Sequence, residues 1–153
     1  MVDFFKGVEC ENIVLELSAG KKECTAGTIE LLKANTVDAA QEKHVPVVSE
    51  EDGKVRVKVG EVEHPMLPEH HIEWIYVKTT FGGIYCNLEV GDPPEALLNI
   101  KPDEVEAVYE YCNLHGLWKA PDSAIIEFGL NFDQNTVACS PEFAAGCVDP
   151  SVE

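Results

Sequence analysis

Apolar and polar residues alternate with a period of two along most of the chain, which is the pattern of strands that bury one face. The segments with this pattern are 13–17, 28–33, 45–49, 54–59, 72–79, 84–90, 96–100 and 105–112. Short strands at such regular spacing predict an all-β fold, an immunoglobulin-like β-sandwich. Residues 104–111 also fit a helical turn, but their neighbours favour a strand.

Two segments have the composition of hairpin turns. Asp52-Gly53 separates two of the predicted strands, and an Asp-Gly pair favours a tight two-residue turn. Phe81-Gly82-Gly83 separates segments 72–79 and 84–90, which predicts a second hairpin.

One short helix is predicted, over residues 37–41. Thr36 precedes it and can act as its N-cap, and Asp38 falls in its first turn. The helix is expected to end just before Glu42.

These elements divide the chain into three parts. Residues 1–36 are predicted to form a small β subdomain, and residues 37–120 the main β-sandwich. Residues 121–153 are a C-terminal extension of unknown role, in which 125–128 could add a strand. Pro121-Asp122 marks the boundary.

Composition narrows the function classes. The formal net charge is −17, and nucleic-acid binding is not expected because phosphate contacts need a basic face. No apolar run reaches the roughly 18 residues of a membrane span, and the N-terminus lacks the pattern of a secretory signal. A cytoplasmic protein is therefore expected. So acidic a chain repels an anionic substrate, and any attraction must be local.

The candidate chemistry lies in three segments: 42–46, 64–74 and 112–118. They contain all five histidines of the chain, one of them in a Cys-x-x-His pair. Two prolines in the second segment exclude a regular helix there and place its histidines on a loop. Four imidazoles and one thiolate exceed the four ligands of a closed tetrahedral zinc site and leave one position open on a metal that prefers six. The candidate ligands are His44, His64, His70, Cys112 and His115.

The three segments resemble the catalytic domain of the desulfoferrodoxin and neelaredoxin family, the superoxide reductases. The family's motifs Glu-Lys-His-x-Pro, His-Pro-Met-x-x-x-His-x-Ile-x-Trp and Cys-Asn-x-His-Gly-x-Trp all stand here intact, and the resemblance covers about residues 7–119.

That resemblance implies one mononuclear iron and a role for each motif residue. The four histidines and Cys112 are its ligands, with His115 expected to bind through Nδ. Lys43 supplies positive charge where superoxide binds, and Glu42 is the carboxylate that can close the open position after oxidation. The thiolate pushes electron density toward the metal, as it does in haem enzymes. His71 is left out, because the motif's spacing selects His70.

The N-terminal part departs from family members that carry a second iron on four cysteines. Gly7 and Thr25 stand where two of those cysteines are expected, and only Cys10 and Cys24 remain. No metal is expected there. Cys10 and Cys24 are predicted to be buried thiols, with a disulfide as the alternative.

The resemblance also implies partners. The electron donor is expected to be rubredoxin or a similar protein, and a homodimer is expected. A non-catalytic iron or electron-transfer protein with the same ligands remains an alternative, as does a β-sandwich with incidental histidines. Zinc could occupy the histidines. Cys139 and Cys147 could form a disulfide, bind metal or do neither.

Overall fold

A computed structural model describes residues 2–17 and 28–135, with side chains up to residue 130. The described residues form ten strands, two α-helices and a 3₁₀ turn at Pro102–Glu104. The strands are β1 (Phe4–Gly7), β2 (Ile13–Leu15), β3 (Ile29–Leu31), β4 (Pro46–Glu51), β5 (Lys54–Val59), β6 (Ile72–Thr79), β7 (Gly82–Asn87), β8 (Glu95–Leu98), β9 (Val105–Cys112) and β10 (Gly116–Lys119). The helices are α1 (Gln41–His44) and α2 (Asp122–Asn135).

Two antiparallel sheets share one apolar core. The order β10-β9-β6-β7 forms one sheet and β4-β5-β8 the other. Inward side chains of both sheets meet in a single buried cluster, whose centre is formed by Val55, Val57, Ile75, Val77 and Val108. The predicted all-β sandwich is confirmed.

A third sheet, β2-β1-β3, covers the outer face of the four-stranded sheet. Phe4 of β1 packs there against an aromatic surface and stacks on Trp74 with ring centroids 5.2 Å apart. The rest of this second cluster is Tyr76, Ala107, Tyr109, Tyr111 and Leu117. Strands β6 and β9 are therefore buried on both faces, which explains why nearly every residue of β9 is inaccessible. The predicted domain boundaries at residues 36 and 120 stay a prediction.

The hairpin at Asp52-Gly53 forms as predicted, with Glu51 paired to Lys54 across a two-residue turn. Both turn residues have positive φ (51° and 74°), as a type I′ turn requires. The second hairpin also forms, but its two loop residues are Thr80 and Phe81, and the following glycines belong to β7. A side chain on Gly83 would collide with the phenol of Tyr76, which explains glycine inside this strand.

The helix prediction for residues 37–41 is wrong in position. The Thr36 hydroxyl donates to the Lys33 carbonyl (2.8 Å) and caps no helix. Helix α1 begins three to four residues later, after Ala40, and contains Glu42, Lys43 and His44. The hydroxyl is taken up by the preceding turn, a competing local hydrogen bond that propensity does not reveal.

The strand prediction for residues 125–128 is also wrong, because they lie in α2. Ile125 and Phe128 are three residues apart and share a helical face that packs on the main core, while Ile126 is exposed. No helix in the described part of the chain is long and apolar enough to cross a membrane. Cys24, Cys139 and Cys147 lie outside the described residues, so the predictions about them stay open.

Candidate metal centre

The predicted ligands come from separate elements that meet at one end of the sandwich. His44 is the last residue of the short helix α1. His64 and His70 lie on the loop between β5 and β6, Cys112 ends β9, and His115 lies in the turn before β10. His44, His64 and Cys112 are buried.

The four imidazoles form a closed ring. Centroids of successive rings are 4.7 Å apart for His44–His64, 4.5 Å for His64–His70, 4.8 Å for His70–His115 and 4.8 Å for His115–His44. Successive rings are nearly perpendicular, at 77° to 88°. His44 and His70, on opposite sides, are 6.0 Å apart and 30° from parallel. Such a square of edge-on rings directs four nitrogens toward one point.

Hydrogen bonds fix which nitrogens face that point. The Nδ1 of His44 lies 2.7 Å from the Ala40 carbonyl, and the Nδ1 of His64 lies 2.6 Å from the Pro65 carbonyl. A carbonyl only accepts, so each Nδ1 carries the proton and each Nε2 presents a lone pair. These two Nε2 atoms are 3.2 Å apart. Two facing lone pairs repel each other unless a cation lies between them.

The remaining donor atoms complete the same cluster. His115 Nδ1 lies 3.0 Å from His44 Nε2 and 3.6 Å from Cys112 Sγ. The buried Nε2 of His70 has no hydrogen-bond partner among the described residues. One ligand atom each from His44, His70, Cys112 and His115 all lie within 4.8 Å of one another. Nitrogens about 2.1 Å from one ion, at right angles, would be about 3.0 Å apart, so the residues fit one metal.

The cluster's electrostatics also favour a metal. Burial is the main cause that lowers the pKa of His64 from 6.5 to about 4, and repulsion from the other imidazoles adds to it. Burial likewise lowers the pKa of His44 and of His70, which keeps these rings neutral and able to bind. Burial raises the pKa of Cys112 against the opposing effect of hydrogen bonds from the backbone at His115 and Leu114. A cation is therefore needed to hold its thiolate.

Asn113 joins the two loops that carry the ligands, a role the sequence motif did not reveal. Its side-chain Oδ1 accepts from the His71 N–H (2.9 Å), and its Nδ2 donates to the Glu69 carbonyl (3.2 Å). Its own N–H donates to the His71 carbonyl (3.1 Å). Three bonds to residues on either side of His70 hold that ligand beside Cys112.

Other contacts support the ligands from behind. The ring of Trp118 stacks on His44 at 4.8 Å and 24°. The Ile72 N–H points at Met66 Sδ (3.3 Å), which ties the His64–His70 loop to the start of β6. The final Trp and the Met of the motifs would have been the signals for these roles. His71 turns its Nδ1 to the Leu67 carbonyl (3.0 Å) and stands outside the ring.

Glu42 and Lys43 are exposed on α1, directly before the ligand His44. Lys43 lines an open cleft of about 480 Å³ together with His64, Met66 and Asp92. Its charge is near enough to contribute to the lowered pKa of His70, although burial and the neighbouring imidazoles contribute more.

The N-terminal sheet lacks a comparable cluster in its described residues. Cys10 is exposed, so its predicted burial is wrong. Its Sγ would lie only 2.5 Å from a Cβ placed on Gly7, so the thiol fills the space beside the glycine that replaces the first expected cysteine.

Comparison with known proteins gives a consistent result. The profile of the desulfoferrodoxin family matches residues 36–121. A desulfoferrodoxin of Nitratidesulfovibrio vulgaris is 44% identical over 120 residues, which span 77% of this chain and 94% of that protein. A superoxide reductase of Pyrococcus horikoshii is 41% identical over 96 residues, 51% of this chain and 84% of that protein.

A solved structure shows the same fold. The crystal structure of the superoxide reductase from Treponema pallidum superposes with a TM-score of 0.63 at 38% identity, covering 79% of this chain and 99% of that one. The described ligand cluster suits the single iron that the resemblance implied. The chain therefore belongs to the desulfoferrodoxin family and is an oxidoreductase of the superoxide reductase type.

Proposed function

We propose that the chain catalyses the one-electron reduction of superoxide to hydrogen peroxide, with iron held by His44, His64, His70, His115 and Cys112. The observation that carries the proposal is the ring of four imidazoles closed on a buried cysteine, with unprotonated nitrogens facing inward. Each turnover consumes one superoxide, one electron and two protons and yields one hydrogen peroxide. Iron in this site would supply that electron.

The protein's own groups prepare the site for an anion. The ammonium of Lys43, in the cleft beside His64, provides local attraction in a molecule whose net charge is −17. Charges beyond a Debye length of about 8 Å are largely screened at physiological salt, so the local field depends on Lys43 and on the two carboxylates that line the same cleft, Glu63 and Asp92. Water in the open cleft supplies the protons. Glu42, next in sequence, is the carboxylate that takes the substrate's place after oxidation.

The thiolate distinguishes this site from a plain histidine site. Cys112 is an electron-rich ligand that would push electron density toward the metal, as a thiolate does in haem enzymes. Turnover requires an external donor such as rubredoxin, because the N-terminal sheet retains too few cysteines for a second iron. We further propose a homodimer in the cytoplasm.

Pulse radiolysis of the reduced, iron-loaded protein tests the proposal. Superoxide should oxidise the metal rapidly and yield hydrogen peroxide without oxygen. Oxygen evolution would show a dismutase instead. Bound iron that reacts with superoxide only stoichiometrically, despite a rubredoxin supply, would show an electron carrier.

Cys112→Ser separates the thiolate from the rest of the site. It should abolish turnover and the thiolate-to-iron charge-transfer band, because the hydroxyl is a far weaker donor. Cys10→Ser, at an exposed thiol, is the matched control and should turn over like the unaltered protein. Full activity in Cys112→Ser would refute the ligand assignment.

A further inference from the structure

A line of three neighbouring aromatic rings leads from the residue beside Cys112 to the protein surface. Tyr111 is joined to the ligand Cys112 by one peptide bond, and its ring stacks on Trp74 at 5.5 Å with only 9° between the planes. Trp74 in turn contacts Tyr85 at 6.2 Å. Tyr111 and Trp74 are each 6% exposed, whereas Tyr85 is 59% exposed.

The line ends in open space. Tyr85 borders a surface cavity of about 610 Å³ between the N-terminal sheet and the four-stranded sheet, and Trp74 lies at its base. The Tyr85 hydroxyl reaches solvent beside Asn87 (3.4 Å). Trp118, which stacks on His44, has no further ring contact among the described residues and so does not extend to the surface through a second aromatic ring.

We infer that Tyr111, Trp74 and Tyr85 form a route by which oxidising equivalents leave the metal site and are discharged at the surface. The inference rests on the proposed function, which produces hydrogen peroxide beside a reduced metal. A hydrogen peroxide molecule that takes one electron from the reduced site yields hydroxide and a hydroxyl radical, which is a stronger one-electron oxidant. That oxidant would attack the ligands, and a cysteine thiolate oxidises progressively to sulfinic and sulfonic acids.

The three side chains can intercept it because tryptophan and tyrosine are readily oxidised. One electron passes from Trp74 through Tyr111 to the oxidant, which takes up a proton and becomes water. Tyr85 then gives one electron to the oxidised Trp74, releases its phenol proton to solvent and becomes a neutral radical. A small thiol at the surface then returns a hydrogen atom to Tyr85, and two thiyl radicals combine to a disulfide.

The environment of each ring suits its position along the electron-transfer route. Tyr111 is only 6% exposed, so its phenol has little solvent to receive a proton, and a radical does not settle at that residue. Phe4, which also stacks on Trp74, is too hard to oxidise to divert the charge. Tyr85 is 59% exposed, so its phenol proton can pass to solvent, and the charge comes to rest there.

Spin trapping with mass spectrometry tests the route. The full-length, iron-loaded protein is reduced, treated with hydrogen peroxide and a nitroso spin trap, and its adducts are mapped. Adducts are expected at Tyr85. Tyr85→Phe should shift them to Trp74, and Trp74→Phe should remove them from Tyr85 and increase oxidation of Cys112. Tyr111→Phe interrupts the route one ring earlier and repeats the test if Trp74→Phe fails to fold.

Tyr109→Phe is the matched control, because Tyr109 lies in the same aromatic cluster but off this line. It should leave the Tyr85 adduct unchanged, and zinc-loaded protein should give no adduct. Equal labelling of Tyr85 in the Trp74→Phe and Tyr111→Phe variants, or in the zinc protein, would overturn the inference. Normal superoxide reduction alongside that result would leave the proposed function intact, whereas a chain that binds no iron would overturn both.

Discussion

At the scale of single residues, the site depends on which hydrogen bonds the ligands make away from the metal. The backbone carbonyls of Ala40 and Pro65 accept hydrogen bonds from Nδ1 of His44 and His64. Each ring therefore turns its unprotonated Nε2 inward. The motif spacing contains no information about these carbonyls. Their positions follow from where α1 begins, after Ala40, and from how the loop between β5 and β6 turns at Pro65.

Asn113 is expected to act as a positioning residue for His70. In Asn113→Ala, the two side-chain bonds to the His70 loop are lost, and iron affinity should fall about 10- to 100-fold, as is usual for partners behind metal ligands. Iron titration with a competing chelator measures this. Asn87→Ala, at an exposed position whose side chain contacts Tyr85 and not the His70 loop, should bind iron normally. Unchanged affinity in Asn113→Ala would show that the ligands hold the loop without it.

Trp118 and Glu110 face each other across β10 and β9, and both are buried. The indole N–H and both carboxylate oxygens lack hydrogen-bond partners among the described residues. Burial raises the pKa of Glu110 well above its ordinary value, so the carboxyl is neutral in the folded protein. Glu110 lies on the inner face two residues before Cys112, and a neutral carboxyl there adds no negative charge beside the thiolate.

At the scale of elements, the short helix α1 must be held against the turn after β5. Gly60, with φ of 81°, is packed so closely that an added Cβ would lie 2.6 Å from the Lys43 carbonyl oxygen. The glycine therefore sets the distance between this turn and the helix that carries His44.

Gly60→Ala and Gly53→Ala separate backbone strain from site geometry. Both positions have positive φ, so each substitution should cost about 1–2 kcal/mol of unfolding free energy through backbone strain. Gly60→Ala should cost more than this, because its Cβ also collides with the Lys43 carbonyl. Only Gly60→Ala should also weaken iron binding, because an added methyl at Gly53 meets nothing within 4 Å. Denaturation and iron titration of both variants measure the two effects. Equal iron affinity in the two would show that α1 adjusts freely.

Helix α2 is anchored to the sandwich by one face. Ile125→Ala should lower the unfolding free energy by about 2–4 kcal/mol, because it empties a buried site in the main core. Ile126→Ala, at a neighbouring side chain that is 62% exposed, should change it by less than about 0.5 kcal/mol. Urea denaturation compares the two directly. A similar loss in both variants would contradict the helical packing of this segment.

At the scale of the whole molecule, charge acts in two opposite ways on an anionic substrate. The net charge of −17 repels superoxide from a distance, and Lys43 attracts it at the cleft. Salt screens both, but it screens the distant charges more completely.

Lys43→Gln should therefore increase the salt dependence of the reaction. In the unaltered protein, the attraction by Lys43 offsets part of the distant repulsion, so the second-order rate constant for superoxide should rise only slightly with ionic strength. In Lys43→Gln only repulsion remains, and the rate constant should start lower and rise with salt. Lys43→Arg should behave like the unaltered protein. Pulse radiolysis at several salt concentrations measures this, and parallel salt curves for all three proteins would contradict a steering role.

The sequence by itself determined the strand pattern, the Asp52-Gly53 turn and the choice of candidate ligands. Alternation of period two is a local property, and the three motifs are contiguous, so both are readable without coordinates. It failed at residues 36–41 and 125–128, where a tertiary or competing contact decided the outcome. Thr36 bonds backward to Lys33, and Ile125 with Phe128 finds a core that only the assembled sheets provide.

Only the tertiary structure decided how the candidate ligands meet. Four histidines from a helix end, a loop and a turn become one square because β9 pairs with β6, with a register shift between Ile72 and Trp74, and Asn113 ties the ends of the two strands together. The same pairing places Tyr111 on Trp74, two rings that are 37 positions apart in the chain. Such long-range contacts depend on which strands pair and in what register, and local sequence patterns do not encode that choice.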